Sequence, residues 1–130
     1  MNWNRVGKVL TLFYIIFIFV VKPCSINARE IPKILFEKAL QESQDGDFIQ
    51  AEKDWNLFLN ENPDDAAALS NRGNILLALG DPEGDIRDQT RAIKLSPDDL
   101  DPYLNRGIAK EALKLWDDAY NDYIYVLERN

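Results

Sequence analysis

The sequence predicts an all-α protein in which three antiparallel helix pairs follow one another along the chain. Three observations predict this fold class. Apolar residues recur at helical spacing, the sequence repeats itself with a period of 34 residues, and glycine or proline stands at most boundaries between the apolar stretches. The repeating segments are 32–65, 66–99 and 100–130, so we expect one domain over residues 29–130.

Small residues recur in two columns when the segments are aligned at a shift of 34. The first column is Ala39, Gly73 and Gly107. The second is Ala51 and Ala119, with Asp85 at the equivalent place in the second segment. Two short sequences also recur: Asn71-Arg72-Gly73 returns as Asn105-Arg106-Gly107, and Pro63-Asp64-Asp65 returns as Pro97-Asp98-Asp99. Each segment therefore predicts the same helix pair, with small side chains that let the two backbones approach each other.

The first helix of each pair is predicted over residues 33–44, 66–79 and 101–113. A turn follows each of them. Gly46 and Gly80 suit the left-handed conformation that ends many helices, whereas Lys114 takes that place in the third pair.

The second helices are predicted over residues 48–60, 82–95 and 116–129. Asp47 and Asp81 suit the N-cap position before the first two. Asp85 departs from the pattern because it stands in a column of small apolar residues. We expect it to reach solvent or to pair with Arg72, Arg87 or Arg91, since an unpaired buried carboxylate is costly, and we expect the second pair to be the least tightly packed.

The first thirty residues differ from the rest of the chain. Residues 9–21 are uncharged and almost wholly apolar, and Arg5 and Lys8 precede them. A run of this length reaches only about 20 Å as a helix, whereas a bilayer core measures about 30 Å. We expect residues 1–28 to be a signal peptide cleaved after Ala28, or alternatively an uncleaved anchor that tethers the protein to a membrane through residues 9–21. Either alternative exports residues 29–130 to a periplasm, a thylakoid lumen or the extracellular space.

The composition argues against catalysis and against nucleic acid. The chain has no histidine and one cysteine, Cys24, which removes Ser-His-Asp and Cys-His nucleophile systems, His/Cys zinc sites and internal disulfides. Residues 29–130 carry 12 Lys and Arg against 22 Asp and Glu, a net charge of −10, which repels phosphate backbones. The acidic runs stand at predicted helix starts, where they favour capping over calcium binding. We expect no enzyme, cofactor, metal or nucleic-acid partner.

A helix-turn-helix of 34 residues with small, aromatic and proline columns resembles the tetratricopeptide repeat (TPR) family over residues 32–130. The resemblance implies a right-handed superhelix, an α-solenoid, whose concave face is lined by the first helices and binds a peptide or partner protein without catalysis. The sequences of residues 80–84 and 88–93 are similar to those of repeat proteins of cyanobacteria and chloroplasts. This resemblance implies that the exported domain lies in a thylakoid lumen or a periplasm.

The best-known TPR site is a clamp of Lys, Arg and Asn side chains for the carboxylates at the end of cytosolic chaperones. The corresponding places here hold Phe36, Leu40, Asn71, Asp101 and Asn105. Only Asn71 matches, and Asp101 would repel a carboxylate, so we expect no chaperone-tail binding. Arg72 and Arg106 are expected to pair with nearby acids of this chain.

The resemblance then implies a groove of amide and apolar side chains on the concave face. Its predicted partner-binding residues are Phe36, Leu40, Asn71, Asn74, Asn105 and Ile108. Two interpretations of Asn71 and Asn105 stay open: they hydrogen-bond the backbone of an extended peptide, or they stabilise neighbouring turns and helix starts.

The last predicted helix carries a broad aromatic and apolar surface, where a repeat array normally has a polar capping helix. Its residues are Trp116, Tyr120, Tyr123, Ile124 and Leu127. This surface predicts a homo-oligomer or an obligate partner. We therefore expect an exported adaptor that holds a partner protein during complex assembly, with a self-associating structural subunit as the alternative.

Overall fold

The structure is a computed structural model and describes residues 27, 28 and 30–129. Its helices are α1 (Ile31–Asp45), α2 (Phe48–Glu61), α3 (Ala66–Ala78), α4 (Pro82–Leu95), α5 (Asp101–Ala112) and α6 (Trp116–Leu127). The prediction of an all-α protein is confirmed, and each helix begins and ends within two residues of its predicted bounds. The predicted tether at residues 9–21 and Cys24 lie outside the residues that the structure describes. Of the predicted signal peptide, residues 1–28, the structure describes only Asn27 and Ala28. Of the helices in the described ranges, none has the length and apolar character needed to cross a membrane.

The helices form a solenoid of three pairs. Each helix packs on the next one along the chain, and the first helices also touch one another, α1 with α3 and α3 with α5. The second helices α2, α4 and α6 make no such mutual contacts within the described ranges. Because the first helices lie closer together, they form the inner face of the array.

Local capping sets where the helices begin and end. The side chains of Asp47, Asp65 and Asp81 each accept a hydrogen bond from a backbone N–H in the first turn of α2, α3 and α4. Gly46 and Gly80 adopt φ values of 80° and 90° after α1 and before α4, as predicted for left-handed caps. Lys114 holds the same conformation, with φ 60°, between α5 and α6.

Replacing Lys114 with glycine should stabilise the fold. The left-handed conformation destabilises the folded state by about 1–2 kcal/mol when the residue has a Cβ atom. Glycine removes this strain, but its greater conformational freedom in the unfolded chain offsets part of the gain. We expect the free energy of unfolding in urea to rise by about 1 kcal/mol for Lys114→Gly. The converse variant, Gly80→Lys, should lower it by a similar amount; a loss of stability in Lys114→Gly would contradict the prediction.

The core of the first pair is built around Trp55, which is wholly buried. Its ring meets those of Phe36 and Phe58 edge to face, with centroids 5.0 and 6.3 Å away. Its Nε1 donates to Ser43 Oγ at 3.0 Å, so the one polar atom of the indole is satisfied. The same column holds Gln89 in the second pair and Tyr123 in the third.

Two glycines in the first small column allow those larger side chains to lie directly on a helix backbone. A Cβ atom added to Gly107 would clash with the Tyr123 ring, and one added to Gly73 would lie 2.6 Å from Asp85 Oδ1 and 2.9 Å from Gln89 Nε2. The helices α3 and α4 are in fact the most closely packed pair of the array. The expectation that the second pair is the least tightly packed was therefore wrong.

A row of ion pairs, one for each helix pair, joins the first and second helices. The bases are Lys38, Arg72 and Arg106, and the acids, 16 residues later, are Asp54, Asp88 and Asp122. Arg72 also donates from Nη1 to Asn56 Oδ1 of the preceding pair at 2.9 Å, and Arg106 donates to Thr90 Oγ1 at 3.2 Å. Each arginine thus links three helices, and the expectation that both pair with acids of this chain is confirmed.

Asp85 is wholly buried, and the predicted partners lie elsewhere. Arg72 binds Asp88, while Arg87 pairs with the half-buried Asp81 and Arg91 with the exposed Asp64. The predicted pairing of Asp85 with an arginine, and the alternative that it reaches solvent, were therefore both wrong. Each candidate arginine has another carboxylate within reach.

The environment of Asp85 disfavours its charge. Its Oδ1 accepts a hydrogen bond from Gln89 Nε2 at 2.8 Å, whereas Oδ2 has no hydrogen-bond partner among the residues described. Burial, opposed by the Gln89 hydrogen bond and reinforced by the charge of Asp88, raises the pKa of Asp85 to about 6. The carboxyl group therefore keeps its proton to a higher pH than an ordinary aspartate does.

Candidate binding groove and end surface

The six predicted groove residues all lie on the first helices, which form the inner face. Phe36 and Leu40 of α1 are half-buried, as are Asn71 of α3 and Asn105 of α5. The remaining two, Asn74 and Ile108, are exposed. The groove therefore begins at α1 with the apolar side chains of Phe36 and Leu40. It has amide side chains in its centre and the exposed Ile108 on α5.

A hollow of about 370 Å³ lies at the α1 end of this groove. Its walls are formed by Pro32, Lys33, Phe36, Glu37, Leu40 and Phe58. Lys33 and Glu37 form an exposed ion pair of 3.8 Å at the rim, and the rest of the wall is apolar. The hollow is suited to an aliphatic or aromatic side chain of a ligand. The sequence prediction missed Phe58, because this residue belongs to a second helix.

The amide side chains in the centre of the groove differ in their hydrogen-bond partners. Asn105 Nδ2 donates to Ser70 Oγ at 3.4 Å, which joins α5 to α3, and Asn74 Oδ1 accepts from Gln89 Nε2 at 3.1 Å. These bonds link helices and involve neither turns nor helix starts. No other residue of the described part forms a hydrogen bond with the Asn71 side chain. Asn71 is thus the amide with both its donor and its acceptor available.

At the α5 end of the groove, two acidic side chains accompany Ile108. Asp101 and Glu111 are both exposed there. Tyr123 donates its hydroxyl proton to Glu111 Oε2 at 2.9 Å, and burial together with this hydrogen bond raises the pKa of Tyr123 to about 12. A ligand carboxylate at this end would face negative charge. Within residues 30–129, no cluster of acidic or cysteine side chains is arranged to hold a metal ion.

The five residues of the predicted surface on α6 fall into two groups. Trp116, Tyr120 and Leu127 are 59%, 63% and 70% exposed. Tyr123 and Ile124 are half-buried, and the Tyr123 ring lies on the backbone of Gly107. Tyr123 therefore contributes mainly to packing between α5 and α6, and the exposed part of the surface consists of Trp116, Tyr120 and Leu127, with Ile124 half-buried beside them.

No known family model matches the chain. Curated relatives match part of it. Sperm-associated antigen 1 of Rattus norvegicus is 41% identical over 70 residues, which are 53% of this chain and 8% of the relative. The TPR repeat-containing thioredoxin TDX of Arabidopsis thaliana is 31% identical over 85 residues, 65% of this chain and 22% of the relative. The chain thus spans less than a quarter of the length of these relatives.

Solved TPR domains are similar to the chain over most of its length. The first TPR of Spaghetti (RPAP3), bound to the HSP90 peptide SRMEEVD, has a TM-score of 0.74 and 22% identity over 82% of this chain and 84% of that one. The Arabidopsis OM64 TPR domain has a TM-score of 0.74 and 23% identity over 78% and 84%. The TPR2B domain of yeast Sti1, in a pHsp70 complex, has a TM-score of 0.72 and 21% identity over 75% of this chain and 78% of that one. The chain therefore has the TPR-like fold, a solenoid of helix pairs.

Proposed function

We propose that the protein is a non-catalytic adaptor that binds an extended segment of a partner protein in the groove formed by α1, α3 and α5. The observation that carries this proposal is the combination of an apolar hollow at Phe36 and Leu40 with an unpaired amide at Asn71. The hollow takes one side chain of the ligand, and Asn71 hydrogen-bonds the ligand backbone. The peptide-bound TPR domains of RPAP3 and Sti1 support the use of this fold for such a task.

The charges of the groove define the ligand further. Its α5 end presents Asp101 and Glu111, while Lys33 at the α1 end is paired with Glu37. A free C-terminal carboxylate finds no unpaired cation along this path among the described residues. The preferred ligand is therefore an internal segment with an apolar side chain for the hollow and a neutral or basic side chain near α5.

The setting of this adaptor rests on the amino-terminal sequence. The apolar run at residues 9–21, behind Arg5 and Lys8, supports export of the acidic domain, with cleavage or with retention as a tether. In an exported setting the adaptor would hold a partner protein while a complex is assembled. The second candidate function is a self-associating structural subunit, which is favoured by the exposure of Trp116, Tyr120 and Leu127.

A selection from random peptides tests the proposed ligand. The full chain should enrich peptides that carry an apolar residue, whether or not their C-terminus is amidated, and should not bind SRMEEVD. For a selected peptide, Asn71→Ala should weaken binding measured by fluorescence anisotropy by about three- to tenfold, the value of one or two hydrogen bonds at about 0.5–1.5 kcal/mol each.

The matched control is Asn60→Ala, which removes an exposed amide from α2, outside the groove. This variant should bind the selected peptide as the parent chain does. The proposal is contradicted if the chain prefers SRMEEVD to the selected peptides, or if Asn71→Ala and Asn60→Ala bind equally well.

A further inference from the structure

The outward face of α6 differs from the equivalent faces of α2 and α4 at the position that binds the next helix pair. Asn56 of α2 accepts a hydrogen bond from Arg72, and Thr90 of α4 accepts one from Arg106. The residue 34 positions after Thr90 is Ile124, which has no hydrogen-bonding side chain. The face of α6 is therefore not suited to a further repeat of the same kind, since the base of that repeat would meet an isoleucine.

The same face is uncovered in the described part of the chain. Tyr120 occupies the column of Glu52 and Ile86. These two precede Asn56 and Thr90 by four residues, so they lie on the same side of their helices, and both are half-buried. Leu127 occupies the column of Leu59, which is buried, and of Ile93, which is half-buried. Both residues of α6 are more than 60% exposed. Together with Trp116 and Ile124 they form an apolar strip along α6, called the end face below.

Acidic side chains border the end face. Asp117 and Glu128 are exposed along one side of the strip, and Glu111 of α5 lies beyond Tyr123 on the other. The nearby bases are Lys114 in the turn and Arg129, and the Arg129 guanidinium lies 3.6 Å from the centroid of the Tyr125 ring and pairs with Glu128 at 3.8 Å. The domain as a whole, residues 29–130, carries a net charge of −10. The border therefore favours a positively charged partner over a second copy of this chain.

We propose that the end face binds a cationic amphipathic helix of a different protein, with its apolar side on Trp116, Tyr120, Ile124 and Leu127 and its basic side chains beside Asp117, Glu128 and Glu111. The helix lies where the first helix of a further pair would lie in the array, and Ile124 receives an apolar side chain in place of the arginine seen in the earlier pairs. Aromatic side chains at the centre of such a surface supply most of the binding energy. This site lies on α6, whereas the groove of the proposed function lies on α1, α3 and α5, and the two share only Glu111.

The probe for this site is a fluorescent peptide of leucine and lysine that forms an amphipathic helix of about five turns, used with the full chain. We expect its anisotropy to rise with added protein. The tryptophan emission of the chain, which also contains Trp3 and Trp55, should shift to shorter wavelength as the Trp116 ring leaves water, and Trp116→Phe should remove this shift. A peptide with glutamate in place of lysine should bind at least about tenfold more weakly. The double variant Tyr120→Ser, Leu127→Ser should weaken lysine-peptide binding by about tenfold or more.

Two exposed apolar residues of α2 provide a matched control. Ile49→Ser with Leu57→Ser removes a similar exposed apolar surface and should leave lysine-peptide binding unchanged. The groove variant Asn71→Ala should also leave it unchanged, which separates this proposal from the proposed function. Equal binding of both peptides, equal loss in both double variants, or a dimer in sedimentation that is abolished by Tyr120→Ser, Leu127→Ser would overturn the proposal.

Discussion

Replacing Asp122 with alanine should lower the free energy of unfolding by about 3–5 kcal/mol, because it removes one partner of a buried charge network. Asp122 accepts two hydrogen bonds from Arg106, at 2.9 and 2.6 Å, and one from Lys110 at 2.8 Å. The side chains of Arg106 and Lys110 are only 18% and 16% exposed, so two cations would remain with little water around them. The loss should therefore exceed that of an ordinary surface ion pair.

Urea unfolding of the full chain at neutral pH measures this effect. Asp117→Ala, at an exposed acid in the first turn of the same helix, is the matched control and should lower the free energy of unfolding by less than about 1 kcal/mol, the contribution of a negative charge near a helix N-terminus. Replacing two of the three charges with apolar residues, in Arg106→Met with Asp122→Leu, should restore part of the stability lost in Asp122→Ala, although Lys110 remains charged. If Asp122→Ala lowers the free energy of unfolding by less than about 1 kcal/mol, the network contributes no more than an exposed ion pair does, which would contradict this prediction.

The network also has a pH signature. Burial acts to raise the pKa of Asp122, but hydrogen bonds from Arg106 and Lys110 outweigh it and hold that pKa below its ordinary value of 3.8. A lowered folded-state pKa means that the stabilisation is present above the unfolded-state pKa and is lost as the pH falls through the folded-state value. The difference between the parent chain and Asp122→Ala should therefore shrink in acid.

The helix pairs were predictable from sequence because their causes are local or periodic. Apolar spacing, the N-caps at Asp47 and Asp81, and the left-handed turns at Gly46 and Gly80 all act within a few residues, and the 34-residue shift shows that the same unit recurs. The row of ion pairs was present in the same alignment. An acid follows each of Lys38, Arg72 and Arg106 after 16 residues, and this second charged column was overlooked.

The use of each groove amide could not be predicted in this way. Whether Asn105 meets a ligand or Ser70 depends on how far apart α3 and α5 lie, and this distance is set by packing along the whole helices. The choice of partner for Asp85 was equally undetermined, because Arg72, Arg87 and Arg91 all carry the right charge. Each of them pairs with another acid in the folded chain, so Gln89 is the one hydrogen-bond partner of the Asp85 side chain among the described residues.

Asp85→Asn should stabilise the protein at neutral and alkaline pH. Burial, opposed by the Gln89 hydrogen bond and reinforced by Asp88, raises the folded-state pKa of Asp85 to about 6, from an ordinary value of 3.8. The folded state thus binds the proton more tightly than the unfolded state. The parent chain loses stability as the pH rises above 3.8, and this loss is complete above the folded-state pKa. Its limit is about 3 kcal/mol, since each pKa unit corresponds to about 1.36 kcal/mol.

Unfolding of both chains between pH 3.5 and 8 measures this difference. Asparagine keeps an acceptor for Gln89 Nε2 and cannot ionise, so Asp85→Asn should be more stable than the parent chain by up to about 3 kcal/mol at pH 8. The two chains should converge near pH 3.5. Asp98→Asn, at an exposed acid, should follow the parent chain throughout. An Asp85→Asn variant that is no more stable than the parent at pH 8 would mean that the carboxylate gains a stabilising partner when it ionises. If the free energies of unfolding of the two chains agree in acid and differ above pH 6, the ionisation of Asp85 destabilises the packing of α3 against α4.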